Sequence, residues 1–167
     1  MTELEKLTYE RLDKAGVKYE VIQHEAVFTM EDLQQAGICD LGTMCKNLFL
    51  RDAKGRRHFL VVTTEEKAAD MKQLAAELES TRLSFGSDER LMNCLKLTKG
   101  SVTPLGVLND DNLAVEVAFD KDLAGSAKLG FHPCINTATV WMSFDDIYRM
   151  VKEHGNSIKM IEIKGNA

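Results

Sequence analysis

Lys46 opens the run Lys46-Asn47-Leu48-Phe49-Leu50-Arg51-Asp52, and what it can do depends on which way it points. Successive side chains of an extended strand alternate between faces. Lys46 therefore goes with Leu48 and Leu50, while Cys45, Asn47 and Phe49 take the other face. If the leucine face is the core, an ammonium is aimed inward at the mouth of the strand. Burying it is costly unless it is paired, and an arriving anion such as a phosphate would satisfy it. The alternative is a lysine whose head reaches water at the strand end.

Two further segments carry chemistry. In Gly100-Ser101-Val102-Thr103-Pro104, glycine opens backbone geometries closed to other residues and proline stiffens the exit. Between them sit N–H and C=O groups and two hydroxyls, and such a loop can hold a sugar or a carbonyl by its backbone; an ordinary tight turn has the same composition. In Gly130-Phe131-His132-Pro133, Pro133 pushes His132 toward an extended backbone and Gly130 allows a bend. Such a histidine can donate to a substrate carbonyl or position a water, or it can be bonded to backbone. His24, His58 and His154 are weaker candidates. Cys45 adjoins Lys46, which would favour a thiolate, yet neighbouring strand residues point apart and no Cys-His-Asn pattern is present.

The elements that must position these residues follow from periodicity and punctuation. Residues 2–15 read as a helix capped by Thr2 and Glu5, with Leu4, Leu7, Leu12 and Ala15 on one side and Gly16 as its stop. Residues 18–23 read as a strand, and Thr29 caps a helix over 30–36. Residues 45–51 and 58–64 form a hairpin around Asp52-Ala53-Lys54-Gly55-Arg56. A helix follows over 70–78, a strand over 82–85 and a helix from Ser87 to about Leu95. Residues 97–111 form a long shaped loop, of a kind that is often functional. Strands over 113–119 and 137–142, a helix over 144–154 closed by Gly155, and a strand over 158–163 complete the chain. Interspersed strands and helices with at least one hairpin predict an α+β fold with a mixed sheet, rather than a strict β-α-β repeat.

The composition bounds the reading. The 167 residues, 44% hydrophobic and 28% charged, fit one globular domain over residues 1–167. No apolar run reaches the roughly 20 residues of a membrane helix, and no secretory signal is visible. Cys39, Cys45, Cys94 and Cys134 form no C-x-x-C pair, so free thiols in a reducing cytoplasm are expected. A net charge of −5 argues against a broad nucleic-acid surface but not against a local grip on a single-stranded RNA end.

Taken in order, VFTMED (27–32), KNLFLRD (46–52), RLSFGSDERL (82–91), GSVTPLGVLND (100–110) and GFHPCINTATV (130–140) resemble the YbaK/ProX-type aminoacyl-tRNA editing family. The likeness is greatest to its free-standing prolyl-tRNA deacylases, related to the editing domain of prolyl-tRNA synthetases. It runs over roughly residues 3–155. The resemblance implies a strongly curved mixed sheet surrounded by helices, and hydrolysis of the 3′-aminoacyl ester of mischarged proline tRNA. It implies alanine as the group removed, with cysteine or another small residue as the alternative; a non-catalytic aminoacyl-tRNA binder is the rival of another class. Lys46 and His132 would be the catalytic pair. Phe28, Thr29, Asn47, Gly100, Ser101, Val102, Thr103, Pro104 and Asn136 would form the substrate pocket. No metal or cofactor is implied. The partners would be the tRNA 3′ acceptor end and, transiently, prolyl-tRNA synthetase, and no membrane.

Overall fold

The computed structural model describes residues 1–25 and 42–164; the expected helix over 30–36 lies outside the described residues. The first helix, α1 (Glu3–Lys14), starts as its sequence dictates, with Thr2 Oγ1 accepting from the Glu5 amide at 3.0 Å. Gly16 ends it with φ +70°. Its buried stripe differs from the expected one. Leu12 is fully buried, but Leu7 is exposed and Glu5 and Thr8 are buried in its place. They can be buried because each is satisfied locally: Tyr9 donates its hydroxyl to Glu5 at 2.8 Å, and Thr8 donates to the Leu4 carbonyl.

Among the described residues eight strands form one mixed sheet: β1 (Glu20–Gln23), β2 (Thr43–Arg51), β3 (His58–Thr64), β4 (Ser84–Phe85), β5 (Val115–Asp120), β6 (Leu129–Phe131), β7 (Ala138–Met142) and β8 (Ile158–Ile161). The order is β1-β7-β6-β2-β3-β5-β8, with β4 also on β2. The pairs β2/β6, β3/β5 and β5/β8 are parallel and the rest antiparallel. The expected β2–β3 hairpin is present. In its turn Asp52 accepts from the Arg56 and Arg57 amides at 2.8 and 3.1 Å, which holds its carboxyl below the usual range, and Gly55 has φ +68°.

Helices α2 (Met71–Glu77), α3 (Asp88–Leu95) and α4 (Phe144–His154) are capped by Asp70, Ser87 and Ser143. The sheet buries both faces. On one, Cys45, Phe49, Leu60, Val62 and Phe119 meet α1, α3 and α4 in the larger core. On the other, Leu50, Phe59, Val61 and Ala118 meet Leu74 and Leu78 in the smaller. No described helix is long and apolar enough to cross a membrane.

Two elements depart from the sequence reading. Residues 104–109 form a 3-10 helix whose six residues are all buried, so much of the expected loop is core. Residues 129–131 form a strand where a bend was expected at Gly130. Glycine serves there as a spacer: a Cβ would collide with Met44 Sδ and stand 2.8 Å from the Trp141 ring. Gly130→Ala is therefore expected to destabilise the fold by about 1–3 kcal/mol through overpacking. Urea unfolding checks this: the midpoint should drop with the slope unchanged.

Candidate active site

β2 positions Lys46. Opposite it on β3 stands Thr63, and its face is that of Met44, Leu48 and Leu50. On the other edge of β2, Met44 pairs with Gly130 in parallel register, and there the ladder to β6 ends. Lys46 and His132 each lie two residues beyond that last pair. Both side chains therefore leave the same face of the sheet, where two neighbouring strands part. Lys46 is half-buried, and it has neither hydrogen bond nor ion pair among the described residues.

His132 has a defined tautomer. Its Nδ1 lies 3.2 Å from the Ala138 carbonyl, which can only accept, so the proton belongs on Nδ1 and the Nε2 lone pair is left over. Burial pulls its pKa below the ordinary 6.5; the backbone bond opposes this, and His24 adds to it. His132 is thus a neutral acceptor at pH 7. His24, whose ring centre is 6.5 Å away, was a weak candidate from sequence. Its Nε2 lies 2.9 Å from Thr139 Oγ1 and its Nδ1 2.7 Å from the Glu25 carbonyl, to which Nδ1–H donates. Nothing in its sequence neighbourhood signals that place.

The Gly100–Pro104 loop is rigid, for reasons only partly visible in its composition. Gly100 has φ +96°. The Ser101 amide and hydroxyl both donate to the Thr98 carbonyl at 3.1 Å. Thr103 Oγ1 accepts from the Leu105 amide, and Pro104 begins the 3-10 helix. Ser101 and Thr103 are buried, and their hydroxyls brace the loop from within. The Val102 and Thr103 amides donate to no other described group, and Val102 is the more exposed of the two residues.

Val102 packs on the larger core, so the loop's described contacts lie on the face opposite Lys46. Asn47 points to that same side, with its Oδ1 buried and unpartnered. Asn136 is half-buried in the turn after Cys134, which takes φ +64°. Phe28 and Thr29 lie outside the described residues. Cys45 is buried in the larger core, and burial, with Asp120 and Glu65 nearby, pushes its thiol far above the ordinary range. It is no nucleophile.

Residues 24–150 match the family model of the aminoacyl-tRNA editing domain. The chain is 46% identical over 153 residues to the prolyl-tRNA editing protein ProX of Acetoanaerobium sticklandii, across 92% of this chain and 93% of that one. It is 32% identical over 160 residues to prolyl-tRNA synthetase associated domain-containing protein 1 of Bos taurus, across 92% of each. A crystal structure of a candidate trans-editing enzyme for prolyl-tRNA synthetase shares the fold, with a TM-score of 0.74 at 16% identity, covering 98% of this chain and 99% of that one.

The His132 environment has a measurable consequence. Nitrogen-detected NMR should show the Nδ1–H tautomer and a titration midpoint below 6.5. The unfolded chain then takes up this proton first as pH falls. The associated stability is full above pH 6.5, declines below it, and levels off beneath the folded-state midpoint.

Proposed function

The chain belongs to the aminoacyl-tRNA editing domain family, and on that premise we propose that the amino acid it removes is alanine. It is an aminoacyl-tRNA deacylase that edits mischarged proline tRNA. Alanine is the error a proline site is least able to refuse. Rejecting a smaller side chain rests on lost contacts, roughly 1–3 kcal/mol per methylene, so a second site must correct what passes. The whole chain, residues 1–167, acts as one editing unit in the cytoplasm. It takes the 3′ acceptor end as its ligand and prolyl-tRNA synthetase as a transient neighbour.

The reaction adds water to an ester that is already activated. Water oxygen bonds to the carbonyl carbon, the bond to the ribose oxygen breaks, and that oxygen leaves with a proton. Positioning and stabilisation of the oxyanion are what the protein must supply. One observation carries the reading: a half-buried lysine without an acidic partner among the described residues shares a sheet face with a neutral histidine. Lys46 orients the terminal nucleotide through its phosphate. His132 accepts from the attacking water or from the α-ammonium of the aminoacyl group. The Gly100–Pro104 loop, whose described contacts lie on the opposite face, is given no contact with the ester in this reading. Phe28, Thr29 and Asn136 bound the pocket that admits a methyl group and refuses the proline ring.

Lys46→Ala is expected to slow deacylation of alanyl-tRNA(Pro) by ~100-fold or more with unchanged circular dichroism, the cost of losing a positioning contact. The purified enzyme should be assayed against proline tRNA carrying alanine, cysteine, serine or proline. Fastest release of alanine supports the proposal; preference for cysteine overturns the choice of amino acid, and a normal rate for Lys46→Ala removes the lysine from the mechanism. Alkylation with iodoacetamide should leave the Cys45-dependent signal and the rate unchanged, since that thiol is buried and protonated.

A further inference from the structure

Lys46 heads a transverse row that continues across the sheet. Thr63 stands opposite it on β3, and the next register step, to β5, reaches Asp120. The Thr63 hydroxyl donates to Asp120 Oδ2 at 2.6 Å, so the two side chains share the face of Lys46. Asp120 is only 1% exposed, and a carboxylate so deeply buried needs a cation. The cation it has is Lys67. Nζ of Lys67 lies 2.8 Å from Asp120 Oδ2, 2.5 Å from Asp122 Oδ2 and 2.9 Å from the Ile163 carbonyl. Burial pulls the Lys67 pKa down, and the bonds to Asp120 and Asp122 more than offset that, leaving it raised.

The row makes a competition unavoidable. Two strand spacings of about 4.8 Å separate Lys46 from Asp120, which is within the combined reach of an extended lysine and an aspartate without backbone movement. Asp122, just after β5, adds a second carboxylate beside Asp120, and it too is held by Lys67. An unneutralised Asp120 would draw Lys46 across Thr63 and away from any incoming anion. We propose that Lys67 is a positioning residue for the editing reaction: by holding Asp120, it leaves Lys46 free for the phosphate of the tRNA end. The inference rests on the role given to Lys46 above.

The test is a set of full-length variants assayed with alanyl-tRNA(Pro). Lys67→Gln keeps a hydrogen-bonding head but removes the charge. It should raise KM by about tenfold or more, the value of one charge-assisted contact, with kcat changed less. Asp120→Asn in that background removes the acid that captures Lys46 and should bring KM back to within about twofold of wild type. A purely structural Lys67 would give no such rescue. Lys67→Arg, which keeps the charge, should hold the wild-type KM. Should Lys67→Gln fail to fold, the double variant, which has no uncompensated buried charge, still decides: folded with near-normal KM supports the proposal, folded and inactive overturns it. A wild-type KM for Lys67→Gln also overturns it. Lys46→Ala run alongside separates the two failures. If that variant is inactive while Lys67→Gln is normal, only the role of Lys67 falls; if Lys46→Ala is itself normal, the reading beneath it falls.

Discussion

The alternation of β2 between two filled faces is the constraint on which the site depends. One edge of this strand is paired with β3 from Cys45 to Arg51, and the other is shared by β6 at its start and β4 at its end. Cys45 and Phe49 go into the larger core and Leu50 into the smaller. A slip of one residue would drive Lys46 into the larger core and lift Phe49 out of it. Because both faces are packed, the register is held from two sides. Lys46 reaches its place through hydrophobic burial several residues away, at the cost of leaving an ammonium that no carboxylate of the described residues meets.

Much of this was legible because it is local. Thr2, Asp70, Ser87 and Ser143 cap helices through contacts within a few residues, and such contacts can be read from order alone. The hairpin was equally plain, since Asp52 and Gly55 carry its turn chemistry. The alternation that separates Lys46 from Cys45 was also predictable. β6 was not, because a three-residue strand centred on glycine has no periodicity, and its reason for existing is the approach of Met44 and Trp141 from other strands. The buried 3-10 helix hid for a similar reason: Gly and Pro mark turns, but only tertiary contact says whether the turn faces water. Family motifs named Lys46 and His132 as a pair. Their common face needed the parallel β2/β6 register, which joins residues more than 80 positions apart.

Electrostatics at the site are local in a chain of net charge −5. A broad basic surface would hold RNA regardless of what its end carried, with affinity falling steeply with salt. An isolated lysine does something narrower: on the proposed reading it contributes only once the acceptor end has entered. Such a contact is vulnerable to capture by the protein's own acids. Lys67 is tied to two aspartates and a carbonyl, while Lys46 is tied to nothing among the described residues.

The neutral state of His132 completes the argument about charge. A substrate of the proposed kind brings a phosphate at one end and an α-ammonium at the other, with the ester between them. A cationic histidine would repel the second group and have no lone pair for a water proton. Burial, reinforced by His24, keeps the ring neutral, and the Ala138 carbonyl commits its proton to Nδ1 so that Nε2 is left as an acceptor. On the proposed reading, the cation for the phosphate stands on β2 and the acceptor for the ammonium just past the end of the neighbouring β6, each made available by a different device: one by occupying the competing acid, the other by desolvating the ring. Neither device requires a strong base, which suits the cleavage of an ester that is reactive before the enzyme touches it.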